Sequence, residues 1–284
     1  MQVSGPRASH ALVPKVSIVR GERSHDTVFK AVELAGGVDH LTGKPVLIKV
    51  NFICRETWDT GATTDPLLVE ALIHAIREVN QDIIVVDSDA NMTNADEAAE
   101  ATGMLDVCRR NGVEFRNLIR EKKRVVLRPS HPEALKAVKV PKIVAESHIV
   151  DAAKLKTHDS TIITLGMKNM FGLLPNKWKF RYHRKGINRV IVDINSVLSP
   201  SLVVIDGFVG MEGPGPVGGC PVRMDLVIAG RDVVATDIVG TKVMGFDPKG
   251  IQHIRKAVER GLGIWDYEIV GERIEDVQRK FRPP

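Results

Sequence analysis

The segment Ile83-Ile84-Val85-Val86 is an unbroken run of β-branched residues that ends in Asp87-Ser88-Asp89. A strand with no polar alternate has no face to offer water, so it belongs inside a sheet covered on both sides, as in parallel sheets joined by helical crossovers. Val46 to Val50 is a second such run, and Val16 to Val19, His148 to Val150, Leu202 to Ile205 and Leu226 to Ala229 read as further strands. Shorter strands are expected at Val113 to Phe115 and Val125 to Leu127. Helical spacing lies between them. Pro66 to Val79 carries Leu68, Leu72, Ile73 and Ile76 behind an Asp65 cap and a first-turn proline. His25 to Leu34, Ala95 to Arg110, Asn188 to Leu198, Val233 to Met244 and Gly250 to Arg260 complete the helices, with Asn111-Gly112 as a stop. The alternation predicts an α/β fold with a mostly parallel sheet and helices on both faces, in one lobe or in two with a site between them. A flexible tail over residues 1–14 and a single domain over residues 15–284 are expected.

Polar residues gather where these strands stop. Asn51 follows the second strand, Asp87-Ser88-Asp89 the third, Asp151 the run from His148, and Asp206-Gly207 the run from Leu202. In open α/β sheets ligands bind beyond the carboxyl ends of the strands, where loops and helix N-termini converge. One Asp or Asn at such a place is as readily a turn former or helix cap. Four together point to one shared site.

The stretch from Asp151 to Gly172 sets Lys154, Lys156, His158, Lys168 and Asn169 around an apolar run. A buried lysine loses solvation, so several imply a carboxylate partner or a bound anion. Lys154, Lys156 and Lys168 are expected to hold that anion, with Asn169 and Asn51 as amide donors, while His158 or His183 moves a proton. The run Asp206 to Pro221 carries six glycines and three prolines, and Gly213 and Gly215 would let the backbone approach a cofactor. It fits neither G-x-G-x-x-G nor a phosphate loop. Asp206 and Glu212 are its candidate metal ligands or orienting groups. Met167 to His183 mixes Lys168, Lys177, Arg181 and His183 with Trp178, Phe180 and Tyr182, which suits a lid whose aromatics exclude water, or equally a dimer arm in a homo-oligomer. His25, His40, His74 and His253 are expected to cap helices or face solvent.

Composition narrows the classes. No apolar run approaches a membrane span, and no secretory signal opens the chain, so a cytoplasmic protein without a membrane is expected. The net charge of +5 raises nucleic-acid binding, but acids interleave with the bases and aromatics make up only 5%, too few for a base-stacking platform. Cys54, Cys108 and Cys220 are far apart, and three thiols cannot build a four-cysteine cluster, so no intrinsic iron–sulfur centre is expected and each reads as a small buried hydrophobe. The absence of G-x-S-x-G lowers a hydrolase reading.

The motifs resemble the family called domain of unknown function 362. They are Lys154-Leu155-Lys156-Thr157-His158, then Thr164 to Gly172 with Lys168-Asn169-Met170-Phe171-Gly172, then His183, Asp206 to Pro216, and Asp232 to Asp237, with Thr64-Asp65-Pro66 earlier. Many members carry a cysteine-rich ferredoxin module, which implies redox chemistry and, for a chain without one, a separate electron-transfer protein as partner. A more distant likeness to the lactate racemase family implies a nickel-pincer nucleotide attached to Lys154, Lys156 or Lys168, although no attachment motif is present. The expected function is an enzyme that binds a small anionic substrate or phosphate-bearing cofactor, by redox or isomerase-type chemistry, with a divalent metal or nickel-bearing cofactor open. The alternative is a non-catalytic binding protein for a metallocofactor or nucleic acid.

Overall fold

The fully apolar runs become the middle of one sheet. The structure is a computed structural model describing residues 13–91 and 93–284. Its elements in chain order are β1 (Lys15–Arg20), α1 (His25–Leu34), β2 (Val46–Lys49), α2 (Pro66–Arg77), β3 (Ile83–Asp87), α3 (Ala95–Ala101), α4 (Met104–Arg110) and β4 (Glu114–Asn117). These lead to β5 (Arg124–Leu127), β6 (Val138–Pro141), α5 (Lys142–Glu146), β7 (His148–His158), β8 (Ile162–Ile163), α6 (Leu165–Asn169), α7 (Phe180–His183) and α8 (Ile187–Asn195). The chain closes with β9 (Leu202–Glu212), β10 (Cys220–Gly230), α9 (Val233–Val243), α10 (Gln252–Glu259), β11 (Glu268–Gly271) and α11 (Ile274–Val277).

The main sheet runs β11-β1-β10-β9-β7-β2-β3-β4. Only β10 opposes its neighbours, β1 and β9; the other adjacent pairs are parallel. The fold is therefore α/β with a mostly parallel sheet. One face buries α1 to α4 against residues such as Ile48, Val85 and Val204, and the other buries α6, α8, α9 and α10 against Leu47, Val86 and Ile205. No helix of the described residues is long and apolar enough to cross a membrane.

Caps act where the sequence places them. Asp65 accepts from the Leu67 amide at 2.9 Å ahead of Pro66, Asn94 caps α3, and Asp232 accepts from the Ala235 amide at 2.8 Å. The helix expected over Ala95 to Arg110 is two, because Gly103 takes a φ of +79° and breaks the ladder between α3 and α4. The strand expected at Val125 lies outside the main sheet, paired with β6 in an antiparallel ribbon. Of the expected tail, residues 1–12 lie outside the described residues, while Pro14 already accepts a hydrogen bond from the Glu268 amide at 2.9 Å.

Three strands are far longer than their apolar runs. β7, β9 and β10 each span 11 residues, because polar residues that break the runs find partners across the sheet. The glycine-rich segment expected as one loop thus begins as strand, and the β9–β10 hairpin turns only between Glu212 and Cys220. Gly207 and Gly210 serve strand packing there: a Cβ on Gly210 would lie 2.7 Å from the Leu155 carbonyl oxygen and 3.2 Å from the Phe281 ring.

The C-terminal segment closes over that hairpin. Arg279 and Phe281 donate their amides to Val243 and Met244 at 2.9 and 3.0 Å, and the Phe281 side chain is 1% exposed. Phe281→Ala is expected to cost about 3–5 kcal/mol, the range for emptying a buried aromatic site, read as a lowered denaturant midpoint in equilibrium unfolding.

Candidate functional site

Because β2, β3 and β7 are parallel neighbours, their carboxyl ends open on one edge. There a cavity of about 300 Å³ lies between the strand ends, α6 with the turn after it, α7 and the β9–β10 hairpin. Its lining includes Lys49, Asn51, Asp87, Ser88, His158, Lys168, Asn169, Phe171, Lys179 and His183.

A chain of hydrogen bonds forms its floor. Lys156 Nζ donates to Asn51 Oδ1 at 2.8 Å, Asn51 Nδ2 to Asn169 Oδ1 at 2.9 Å, and Asn169 Nδ2 to Asp151 Oδ1 at 2.6 Å. An ammonium only donates and a carboxylate only accepts, so the two ends dictate which way both amides face. Burial pushes Asp151 up to about 7 and Lys156 down to about 7. The second Asn51 amide hydrogen has no protein acceptor among the described residues. Asn169 is placed by α6, whose first amides, Gly166 and Met167, donate to the fully buried Asp237 carboxylate at 2.7 and 2.9 Å.

Lys49 pairs with Asp87 at 3.0 Å and reaches Asn169 Oδ1 at 3.3 Å. Gly172 packs directly over this pair: a Cβ there would sit 2.4 Å from the Lys49 side chain. The K-N-M-F-G stretch thereby acquires a physical meaning. Lys168 lines the cavity, Asn169 bridges the floor, Phe171 carries cations, and Gly172 makes room for Lys49.

Lys168 has no carboxylate partner among the described residues; its Nζ lies 4.8 Å from the Phe171 ring centroid. Burial, then Lys49, lowers it to about 8. Lys179 donates to Ser88 Oγ at 2.7 Å and lies 5.8 Å from the same ring, with burial lowering it to about 7. His158 is buried, and its Nδ1 accepts from the Ser160 amide at 3.1 Å, with the exposed Asp159 carboxylate 2.9 Å away. A backbone N–H can only donate and a carboxylate only accept, so the two contacts ask for opposite tautomers at Nδ1. Burial, then Lys168 and Lys156, holds His158 down at about 2, so its ring is neutral near pH 7. His183 stands more exposed at the mouth, lowered by its partial burial and by Lys168.

The structure thus brings Asn51, His158, Lys168, Asn169 and His183 to one cavity, with Lys156 one bond behind. Lys154 and Asp206 are elsewhere. They form a fully buried ion pair at 2.7 Å, and Asp206 also accepts from the Asp65 amide at 2.8 Å, while Arg23 grips Asp65 at 2.6 and 2.8 Å. Glu212 is bound to Arg282 at 2.8 Å. The metal role expected of Asp206 and Glu212 is therefore corrected: each serves a basic partner, and no group of three or more His, Cys, Asp or Glu among the described residues could hold a metal. Gly213 and Gly215 do not touch the cavity but let the turn press on β7, where Thr157 Oγ1 donates to Gly213 O at 2.8 Å and a Gly215 Cβ would lie 2.2 Å from Thr157 O. This contact sets Pro216 and Val217 in the cavity wall. Of the lysines offered for cofactor attachment, Lys168 alone lines the cavity.

Lys49 and Lys179 escaped the sequence, while Ser88 was legible only as part of the polar end of the third strand. Lys49 looked like the end of an apolar strand, and Lys179 was hidden among the exposed Lys177 and Arg181. The lid expectation is also altered, since Trp178 and Phe180 face solvent and only Tyr182 is buried. His253 is fully buried rather than exposed, its Nδ1 2.9 Å from Asn188 Oδ1. Among the cysteines only Cys108 is buried, which pushes its thiol up to about 12; Cys54 is half-buried and Cys220 exposed.

Residues 46–242 match the family described as Domain of unknown function (DUF362), well over half of the chain, and the protein belongs to that family. The match contains every cavity residue named above. Thylakoid-associated protein sll1697 of Synechocystis sp. is 28% identical over 270 residues, covering 89% of this chain and 81% of that protein. No solved structure matches.

The Lys154–Asp206 pair separates structure from site. Lys154→Met is expected to cost about 3–5 kcal/mol by stranding a buried carboxylate, whereas Lys154→Met with Asp206→Leu restores most of it. Urea unfolding of the two variants measures the difference.

Proposed function

We propose that this DUF362 family member is an enzyme that binds a small anionic molecule in the cavity, through a carboxylate or phosphate group, and moves a proton next to that group in an isomerase- or redox-type step. The observation that carries this is Lys168, an ammonium lining the cavity over Phe171 with no carboxylate in salt-bridge contact among the described residues, the exposed Asp159 acting on it only from a distance. The lining holds three lysines, Lys49, Lys168 and Lys179, against the single acid Asp87, which Lys49 already engages. An anion supplies the missing charge. The spare Asn51 amide hydrogen and the neutral His158 ring add uncharged hydrogen-bonding groups to it.

Lys179 suits the proton transfer. Lowered to about 7, its amine exchanges a proton near neutral pH, and Ser88 holds it in place. His183 at the mouth passes the proton to solvent. The expectation that His158 moves the proton gives way to this assignment, because burial beside Lys168 and Lys156 keeps its ring neutral.

The pH dependence follows from the lysines. A lysine whose folded value is depressed weakens the fold as pH falls from its unfolded value of about 10.4 through the folded one, and a bound anion relieves that cost. Affinity requires the protonated amines, so it falls as pH rises through about 7 and about 8, the values of Lys179 and Lys168. Titration calorimetry with inorganic phosphate and short-chain carboxylates is expected to show binding with proton uptake in that window. Lys168→Ala should weaken it by about 10- to 100-fold, as loss of one charged hydrogen bond implies. Affinity indifferent to pH and to Lys168→Ala would sink the proposal.

A further inference from the structure

We infer that the rim of the cavity is a docking surface for an anionic lipid bilayer, which the protein touches peripherally through Trp178 and Phe180. Large apolar side chains seldom stand in water together on a protein surface unless something covers them. Trp178 is 63% exposed and Phe180 50%, and their rings meet edge to face at 6.3 Å. Val217, 44% exposed, belongs to the cavity wall, and Ile162, 37% exposed, is paired with the cavity residue His158. Four exposed apolar side chains therefore sit at or beside the residues that line one opening.

The aromatics are held outward. Lys179, between them, is buried with its amine on Ser88, and Asn91 Oδ1 accepts from the Lys179 and Phe180 amides at 2.9 and 3.3 Å. Tyr182 is buried and receives a hydrogen bond from Asn176 at 2.8 Å. Anchors at Lys179 and Tyr182 fix the segment, so the outward rings are a property of the fold. Ile162 adds a second sign: it holds a φ of +68°, a left-handed backbone that a β-branched residue adopts only when its surroundings enforce it.

Charge selects the partner. Lys177, Arg181 and Arg184, all exposed, flank the two rings along the chain, and the sequence has no acid from Met170 to Val192. Asp159 is the acid beside the rim, bonded to Ser160. Indole and phenyl groups flanked by basic side chains fit the interface of a bilayer, rings among the acyl chains and cations among anionic headgroups. The rings' near-perpendicular planes, 86° apart, leave no parallel pair of faces on which successive bases could stack, which disfavours a nucleic acid. The lack of a spanning helix among the described residues concerns insertion and leaves surface docking untouched.

The test is co-sedimentation of the full chain with vesicles of phosphatidylcholine alone and of phosphatidylcholine mixed with phosphatidylglycerol. The chain should bind the mixed vesicles and leave the neutral ones. The pair Trp178→Ser and Phe180→Ser, and separately Arg181→Glu and Arg184→Glu, should each weaken partitioning on the order of tenfold or more. Circular dichroism of these surface variants should match the parent. Equal binding to both vesicle types, full binding by the serine variant, or tighter capture of single-stranded DNA or of an acidic protein than of mixed vesicles would each overturn the inference.

Discussion

Ammonium groups taken out of water at the ends of parallel strands organise this protein. Each must find acceptors, because an unpaired charge in the interior costs several kcal/mol. Lys156 finds them through two amides that lead to a carboxylate, and this line of donors fixes Asn51 and Asn169 in one orientation each. Lys49 finds Asp87. The positions of β2, β3, β7 and α6 around the cavity are consistent with one another because these bonds cross from each element to the next. Disturbing any of them leaves a buried charge or amide without its partner.

The same chemistry has two outcomes on neighbouring strands. Lys154 is matched by Asp206 in register across β7 and β9, and Asp206 is further held by the Asp65 amide, so that pair has no charge to offer a ligand. Lys168 stands at the cavity with only an aromatic face beneath it. A ring attracts a cation without neutralising it. What distinguishes a lysine spent on structure from one left open to a ligand is therefore not burial but whether a carboxylate lies within reach.

The surroundings of the cavity serve the same arrangement. Gly172 leaves space for the Lys49–Asp87 pair, and Gly215 lets the hairpin turn rest on Thr157 so that Pro216 and Val217 wall the opening. Glu212 and Arg282 tie the C-terminal segment to the base of that hairpin. Outside, Trp178 and Phe180 stand in solvent while Lys179 between them turns inward. Lys179 and Tyr182 thus face inward while their neighbours Trp178, Phe180 and Arg181 face a surface.

By itself the sequence determined the class of fold, the crowding of polar residues at the carboxyl ends of the strands, and the choice of Lys168, Asn169 and His158 as candidate site residues. Those features follow from local rules: β-branched runs, helix caps, and the cost of burying a lysine. Tertiary structure decided which lysines are free. Lys154 and Asp206 are 52 residues apart, and only the register of β7 on β9 reveals that they neutralise one another. It also decided that Asp206 and Glu212 never meet, and that the glycine-rich run is half strand, because close backbone packing and flexible turns ask for the same residue. Lys49 and Lys179 entered the site for the same reason. The acid, ring or hydroxyl that defines a lysine's role comes from another element, and pairings over such distances are set by the sheet and not by the neighbouring sequence.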